Sequence, residues 1–157
     1  MTTTALFIHD LEGYSESVAK NISLKNKVPT RGIATAREAL EIIKGGVREI
    51  DCVVIHKDLG ERSGEGSGLV DQVVKAIHEA APTVRIGIVS GEYPHGKEHV
   101  LKLGADFYMS TNHVQYSRDW LVEQMTLGPV LPQEMILRGR EIITPYSRRS
   151  SALEQSS

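Results

Sequence analysis

The segment from Ile50 to Leu59 constrains the fold more than any other part of this sequence. It is a short apolar run, rich in β-branched residues, that changes abruptly to the polar residues His56, Lys57 and Asp58. Such a run is typical of a strand that is buried on both faces of a parallel sheet. In open α/β sheets, reactive side chains lie just beyond the carboxyl ends of the strands. We therefore expect these polar residues to belong to any functional site.

Strand-like and helix-like segments alternate along the chain on both sides of this run. The predicted strands are 5–8, 30–34, 50–55, 84–90 and 105–110, and the predicted helices are 15–27, 36–44, 69–80, 100–103 and 112–125. Strict alternation with short connections is typical of a parallel sheet that carries helices on both faces. The sequence thus predicts an α/β fold, a doubly wound five-stranded parallel sheet with the flavodoxin-like strand order 2-1-3-4-5.

Composition limits the classes of partner. The 157 residues suit one domain, and a net charge of -2 provides no overall attraction to nucleic acid or to an anionic membrane. No apolar run is long enough to cross a bilayer, no signal peptide follows Met1, and the single Cys52 excludes disulfides within the chain. We expect a cytoplasmic protein that binds neither nucleic acid nor membrane.

The last thirty residues differ from the rest. Gly128 and Pro129 end the fifth helix, an amphipathic pattern over 134–143 predicts one more helix, and the polar stretch from Ser147 to Ser157 is expected to be disordered. We expect residues 4–127 to form the domain and residues 128–157 to form a C-terminal tail, partly helical and then disordered.

Four of the strand ends carry a recognisable set of residues. His9-Asp10 follows the first strand, Asp51 and His56 stand five positions apart on the third, Ser90 ends the fourth, and Gly104-Ala105-Asp106-Phe107-Tyr108 covers the fifth. Over residues 4–127 this set resembles the receiver (CheY-like) domain of response regulators. Receivers carry an acidic pair after strand one, a phosphate-accepting aspartate at the end of strand three, and a lysine after strand five. The resemblance implies a receiver fold and a role in two-component (phosphorelay) signal transduction.

The departures from that pattern point to a degenerate pseudo-receiver. His56 stands at the phosphoacceptor position, His9 replaces one metal-holding acid, and Thr111 replaces the lysine. Phosphorylation of an aspartate needs a carboxylate nucleophile, Mg²⁺ held by carboxylates and a nearby cation. We therefore expect no ordinary phosphotransfer, no enzymatic activity and no required cofactor. The degenerate pocket comprises His9, Asp10, His56, Asp58, Ser90 and Thr111.

Two further positions of the receiver pattern are retained. Ser90 and Tyr108 match the serine or threonine and the aromatic residue that relay phosphorylation to a partner surface in receivers. The alternative is that Ser90 merely ends a strand and that Tyr108 is a core residue. Their retention implies phosphorylation-independent binding of a protein partner through helix 4, strand 5 and helix 5, with homodimerisation as one form of it.

A second class of function uses the same edge of the sheet. His9, Asp10 and His56 could hold a divalent metal, and together with Asp58 they could form a metal- or phosphate-binding site. A further set of polar residues falls in the same layer of the predicted fold: Glu12, Glu92, His95 and His113. The alternative is a polar rim of hydrogen-bonded or solvated side chains.

Other interpretations of single motifs remain open. The sequence from His95 to His99 fits the H-x-x-E-H pattern of inverted zinc peptidases. His56 could accept a phosphoryl group, or Asp58 could do so if the register of the third strand shifts by two residues. The glycine-rich segment from Gly60 to Gly68 could cradle a phosphate or, as we expect, be a lengthened loop that overhangs the pocket.

Overall fold

A computed structural model describes residues 3–11, 13–46, 49–91, 96–111 and 114–147 of the chain. For residues 114–117 the description covers the backbone alone. None of the helices within these ranges is both long enough and apolar enough to cross a bilayer.

Five parallel strands alternate with helices, as the sequence predicts. The strands are β1 (Ala5–Ile8), β2 (Thr30–Ile33), β3 (Cys52–His56), β4 (Arg85–Ser90) and β5 (Phe107–Ser110). The helices are α1 (Tyr14–Asn26), α2 (Ala36–Gly45), α3 (Leu69–Ala80), α4 (Lys97–Lys102), α5 (Val114–Met125) and the single turn α6 (Pro132–Met135). The strand order is β2-β1-β3-β4-β5, and every pair is parallel. The predicted fold class and strand order are confirmed.

Alternating side chains of the sheet enter two separate apolar layers. Leu6, Ile8, Val53 and Ile55 pack with α2, α3 and α4, whereas Phe7 and its neighbours on the opposite face pack with α1 and α5. Because both faces are covered, the central strands are continuously apolar. The sheet can therefore present polar groups only at its ends, and this is where the candidate site lies.

Glycine at position 32 allows α1 to lie directly on β2. A Cβ atom at Gly32 would come within 2.4 Å of the backbone carbonyl carbon and oxygen of Ser15. Helix α1 begins at Tyr14, one residue before the predicted start, and follows Gly13, whose φ is 72°. Ser15 is a buried residue of the first turn, at the point where the helix meets the strand.

The start of α2 carries two sets of acceptors. Thr35 is the N-cap and its hydroxyl accepts from the Glu38 amide at 3.1 Å. The carboxylate of Glu65, from the loop that precedes α3, accepts from the amides of Ala36 and Arg37, both at 2.9 Å. These contacts satisfy amides that have no partner inside the helix, and they fasten a distant loop to α2.

The prediction of a helix over 134–143 is wrong. Helix α6 ends at Met135, Gly139 adopts a φ of 83°, and Ile143 forms a parallel bridge with Phe107 at the edge of β5. The branched side chains of Ile142 and Ile143 suit an extended chain, and the open edge of β5 supplies the partner groups. We call residues 128–147 the strap. Most of the segment predicted to be disordered, 148–157, lies outside the described residues, and the predicted domain boundary at 127/128 stays a prediction.

Two arginines fasten the strap to the sheet. Arg85, 2% exposed at the start of β4, donates from Nη1 to Oε2 and from Nη2 to Oε1 of Glu134, at 2.6 and 3.1 Å. Arg138 donates to both oxygens of Asp106, from Nε at 2.9 Å and from Nη2 at 3.0 Å. Paired guanidinium and carboxylate groups of this geometry are the stronger kind of ion pair. The strap is therefore held by buried charges as well as by its paired strand.

Candidate functional site

Two histidine rings meet at the carboxyl edge of the sheet. His9 follows β1 directly and His56 is the last residue of β3, and the pairing of Ile8 with Ile55 places them on neighbouring strands. Their ring centroids are 4.0 Å apart with planes tilted by 30°, and the edge of Tyr14 contacts His9 at 4.7 Å. The sequence prediction that these two histidines lie together is consistent with this geometry.

Asp10 is held by the loop between β3 and α3. Its Oδ2 accepts from the amide of Gly60 at 3.0 Å and from the amide of Ser63 at 3.2 Å. The sequence left open that this loop binds a phosphate with its backbone N–H groups. In the structure these N–H groups bind the carboxylate of Asp10. The other oxygen, Oδ1, is buried, has no hydrogen-bond partner among the described residues, and lies 3.8 Å from Nδ1 of His9.

The surroundings favour the neutral form of both histidines. Burial, followed by the neighbouring His56, lowers the pKa of His9 from 6.5 to about 4, although Asp10 opposes the shift. Burial also lowers the pKa of His56, against the opposing effect of Asp58 and Asp10. The loop residue Arg62 contributes to lowering the pKa of both rings. At neutral pH the pair is an uncharged acceptor and donor surface beside one carboxylate.

The tautomer of His9 is set by its local bond. Nδ1 of His9 accepts from the Leu11 amide at 3.1 Å, so the proton of the neutral ring is on Nε2. Nδ1 of His56 is buried and has no hydrogen-bond partner within the part of the chain that the structure describes. In that part, the buried atoms of His9, Asp10 and His56 that lack a partner are one imidazole nitrogen and one carboxylate oxygen.

These three residues are a poor fit for Mg²⁺ and a better one for a softer ion. One ligand atom from each of His9, Asp10 and His56 lies within 4.8 Å of the others. Mg²⁺ prefers oxygen ligands, yet two of the three groups are imidazoles and one Asp10 oxygen already accepts from two amides. Imidazole with carboxylate suits Zn²⁺ and related ions. Coordination through Nε2 of His9 would place the proton of the neutral ring on Nδ1. Nδ1 could then no longer accept from the Leu11 amide.

Asp58 does not take the place of His56 in the strand. The register of β3 pairs Cys52 with Arg85 and His56 with Val89, so no shift by two residues occurs. Asp58 lies in the turn after the strand, where its Oδ1 accepts from Nζ of Lys57 at 3.2 Å. It influences His56 through its charge but is not one of the three residues whose donor atoms cluster.

The three remaining positions of the receiver pattern lie on or just after β4 and β5; they are Ser90, Tyr108 and Thr111. Ser90 ends β4 with 0% exposure, and the amide of Thr111, just after β5, donates to its carbonyl oxygen at 3.1 Å. Tyr108 is also 0% exposed and packs in the layer that contains α3 and α4. Its amide donates to the carbonyl oxygen of Ile143 in the strap at 2.9 Å. Burial fits both the core role and the relay role of Tyr108, and the strap contact is an addition that the sequence did not indicate.

Some candidates lie where the structure gives no description. Glu12, Glu92, His95 and His113 are outside the described residues. The H-x-x-E-H alternative therefore has its last four positions in view, but not its first histidine. Of these, His99 in α4 has its Nε2 3.0 Å from Oδ1 of Asp71 in α3, at an exposed position.

Sequence reasoning missed the groups that lock this site. The loop amides that bind Asp10, the Glu65 carboxylate that caps α2, and Arg62 beside the histidines all come from the glycine-rich segment. Backbone donors carry no side-chain signature, so nothing in the residue pattern indicates which carboxylate they bind. The length of the loop was the one available signal, and it correctly predicts that the loop reaches over the pocket.

Acidification is expected to destabilise the fold through these histidines. Because the pKa of His9 falls to about 4 in the folded state, the unfolded chain takes up a proton first as pH drops below 6.5. Stability should be fully present above pH 6.5 and decrease towards pH 4, by about 3 kcal/mol for His9, and the lowered pKa of His56 acts in the same direction. Urea unfolding between pH 7.5 and 5, in the presence of a chelator, measures the effect. His9→Asn keeps an acceptor for Leu11 and should flatten the slope; an unchanged slope would contradict the assignment.

Comparisons with known proteins find this fold and no relative by sequence. No protein-family model and no curated protein matches the chain. Among solved structures, the non-phosphorylated HemR receiver domain from Leptospira biflexa is 17% identical with a TM-score of 0.63, over 80% of this chain and 96% of that one. A response regulator receiver domain protein from Clostridium thermocellum is 16% identical with a TM-score of 0.59, over 79% and 94%.

A third similar structure contains a filled site. It is a response regulator protein from Burkholderia pseudomallei with a phosphorylated aspartic acid, a calcium ion and citrate. It is 18% identical with a TM-score of 0.61, over 80% of this chain and 68% of that one. The chain therefore has the receiver fold of response regulators.

Proposed function

We propose that this chain is a receiver-like signalling module that binds a protein partner without phosphorylation of an aspartate. The observation that carries the proposal is the state of Asp10, whose carboxylate is bound by the amides of Gly60 and Ser63 beneath the loop. In a working receiver this carboxylate would hold the metal. Here the Asp10 carboxylate instead holds the loop between β3 and α3 in place, beside His56 at the end of β3.

The chemistry of the pocket supports this proposal. Phosphoryl transfer to a side chain needs an anionic nucleophile and positive charge around the moving phosphoryl group. The lowered pKa values of His9 and His56 keep both rings uncharged, and Thr111 cannot supply the charge of a lysine. The one carboxylate of the buried cluster is engaged in hydrogen bonds. Because His56 and Thr111 replace the acceptor carboxylate and the lysine of the usual receiver chemistry, we propose a module without enzymatic activity.

The partner surface is proposed to be α4, β5 and α5. The fold places these elements together at one end of the sheet, and the two relay positions Ser90 and Tyr108 are kept in the buried arrangement. A receiver that no longer responds to phosphate can still present this surface permanently. A cytoplasmic location follows as part of the same proposal, because two-component signalling proteins of this kind act in the cytoplasm.

A phosphodonor experiment tests the first half of the proposal. The protein is incubated with acetyl phosphate and Mg²⁺, and its mass is measured under conditions that preserve acyl phosphates and phosphohistidine. We expect no added phosphate, because His56 stands in the place of the acceptor aspartate and Thr111 in the place of the lysine. A receiver that accepts phosphate in the same buffer serves as the positive control. A stable phosphate that disappears in His56→Ala or Asp58→Ala would refute the proposal.

Site-specific crosslinking tests the partner surface. A photo-crosslinking amino acid is placed at exposed Lys102 of α4 or Asp119 of α5, with exposed Glu41 of α2 as the matched control. Irradiation in the source cells should give one discrete adduct from both test positions and none from the control. Adducts of equal yield at all three positions, or at Glu41 alone, would count against this surface.

A second candidate function is a transition-metal site made by His9, Asp10 and His56. It is favoured by one observation: Oδ1 of Asp10 and Nδ1 of His56 are both buried and have no partner among the residues in view, within a cluster whose donor atoms lie within 4.8 Å of one another. An unpaired buried carboxylate oxygen is costly, and a cation would compensate for it. The ion would supply fixed positive charge, which these residues lack.

Calorimetry with Zn²⁺ and Mn²⁺ distinguishes this candidate from the polar-rim alternative. Binding at micromolar concentration that is lost in His56→Ala, and kept in the control His99→Ala, would support the site. His99 is a suitable control because it is exposed and pairs with Asp71, away from the cluster. Absence of binding to the wild-type protein would eliminate the metal hypothesis.

A further inference from the structure

The edge of β5 pairs with the chain's own strap at one bridge. The amide of Ile143 donates to the Asp106 carbonyl at 3.3 Å, and its carbonyl accepts from the Tyr108 amide at 2.9 Å. This is the parallel bridge with Phe107, so the strap continues the parallel sheet by one position. The sheet edge within the proposed partner surface is therefore already occupied.

The side chains next to this bridge are seated in both apolar layers. Ile142, 8% exposed, belongs to the layer that contains Val100 of α4, and Ile143 packs against the layer that contains Leu121 of α5. Thr144 follows with 4% exposure. The gap between α4 and α5 thus accepts an extended strand with branched apolar side chains on both sides.

A single ion pair sets the register of that strand. Arg138 contacts both carboxylate oxygens of Asp106, and it also donates to the carbonyl oxygens of Pro82 and Val84 at 2.6 and 2.9 Å. Asp106 itself accepts from the Ile86 amide at 2.8 Å, which fixes the acceptor on the sheet. The seat therefore recognises an arginine five residues before the paired isoleucine.

The anchors of residues 136–147 are concentrated at two places, the Arg138 contacts and the buried residues next to the bridge. Between Met135 and Ile143 the strap has no regular helix or strand, Gly139 has a positive φ, and Ile136 and Tyr146 are 67% and 68% exposed. Local segments with few buried apolar side chains open at lower free energy than the core. The upstream residues 128–135 have their own anchor in the pair of Arg85 and Glu134. Loss of the Arg138 contacts would therefore release residues 136–147 and leave residues 128–135 docked.

We propose that the edge of β5 between α4 and α5 is a docking seat for a peptide that turns after its arginine and then pairs in parallel with β5. Its ligand carries an arginine and, five residues later, a branched apolar residue, and the chain's own residues 136–147 fill the seat in the resting state. A second copy of the strap has the same chemistry, so the first partner of this kind is another copy of the chain. The proposal rests on the partner surface proposed above and adds to it the form of the ligand and the way the surface is closed.

A peptide-binding experiment with a released strap tests this proposal. In Arg138→Glu, repulsion from Asp106 should free residues 136–147, and hydrogen exchange at the Tyr108 amide should accelerate at least tenfold. A fluorescent peptide of residues 136–147 should then bind this variant at least tenfold more tightly than it binds the wild-type protein, whose seat is filled. Ile142→Ala is the second release variant and should behave in the same way with smaller effect.

Matched peptides and proteins supply the controls. Arg140 is exposed in the same segment, so the Arg140→Glu protein should keep the wild-type exchange rate. The Arg140→Glu peptide should bind the released variant, whereas the Arg138→Glu peptide should not. Unchanged exchange at Tyr108 in both release variants would overturn the proposal, as would faster exchange without peptide binding. Unfolding of both variants would also overturn it, because the strap would then be part of the folding unit.

The result of the peptide-binding experiment can be distinguished from the result of the crosslinking experiment that tests the proposed function. If the peptide does not bind but specific crosslinks form at Lys102 and Asp119, the proposed partner surface would be limited to α4 and α5. Peptide binding without such crosslinks would support the seat and remove the wider partner surface. The two experiments share no reagent, so neither result determines the other.

Discussion

Glu134→Ala is expected to lower the free energy of unfolding by about 3 kcal/mol, near the lower end of what removal of one partner from a buried ion pair costs. The substitution leaves the guanidinium of Arg85, 2% exposed, without its carboxylate partner. The carbonyl oxygens of Gly128 and Pro129 remain as acceptors at 3.2 and 3.4 Å, and they limit the loss. Urea unfolding at pH 7.5, followed by circular dichroism, gives the difference.

Glu141→Ala is the matched control for this prediction. Glu141 is exposed and belongs to the same strap, so the same loss of charge should change stability by less than about 0.5 kcal/mol. A double variant in which Arg85→Met accompanies Glu134→Ala should recover part of the loss, because no unpaired charge is then buried. Equal effects of Glu134→Ala and Glu141→Ala would show that the ion pair does not hold the strap to the sheet.

Gly32→Ala should destabilise the fold by about 3 kcal/mol, at the upper end of what overpacking costs. The added methyl group would lie 2.4 Å from the backbone carbonyl of Ser15 and 2.5 Å from the amide nitrogen of Glu16. Backbone atoms cannot rotate away as a side chain does, so α1 would have to move off β2. Thermal unfolding should show a lower midpoint, and slower-exchanging amides of α1 should lose protection.

Gly45→Ala provides the opposite case on the same protein. Gly45 is the last residue of α2, and a Cβ atom there would meet nothing within 4 Å. Alanine reduces the conformational freedom of the unfolded chain, so this change should stabilise the protein by about 0.5 kcal/mol. A similar loss in both variants would mean that the close approach of α1 to β2 is not the cause.

The sheet could be predicted from the sequence because its signal is local. Apolar runs such as Cys52 to Ile55, each followed by a helical pattern, define five parallel strands, and right-handed connections leave few ways to order them. The strap could not be predicted in this way. The pattern over 134–143 fits a helix, but the open edge of β5 binds Ile143 as a strand, and only the folded sheet creates that edge.

The candidate site was predictable only in its side chains. The ends of β1 and β3 meet because the strands are neighbours, so His9, Asp10 and His56 could be placed together from sequence. Their state could not, since it depends on the amides of Gly60 and Ser63 and on the burial that lowers the histidine pKa values. The receiver pattern indicates the positions at which this chain differs, and the structure gives the contacts of the residues at those positions.

The Glu65 cap makes the pocket and α2 parts of one mechanical unit. Through its first residues the loop between β3 and α3 binds Asp10, and through Glu65 it binds the first amides of α2. A ligand that draws Asp10 away from Gly60 and Ser63 would loosen the loop and so weaken the cap of α2, which packs in the same apolar layer as α3. Occupancy of the pocket would then be transmitted towards α2 and β2, the opposite end of the sheet from the surface that receivers use for output.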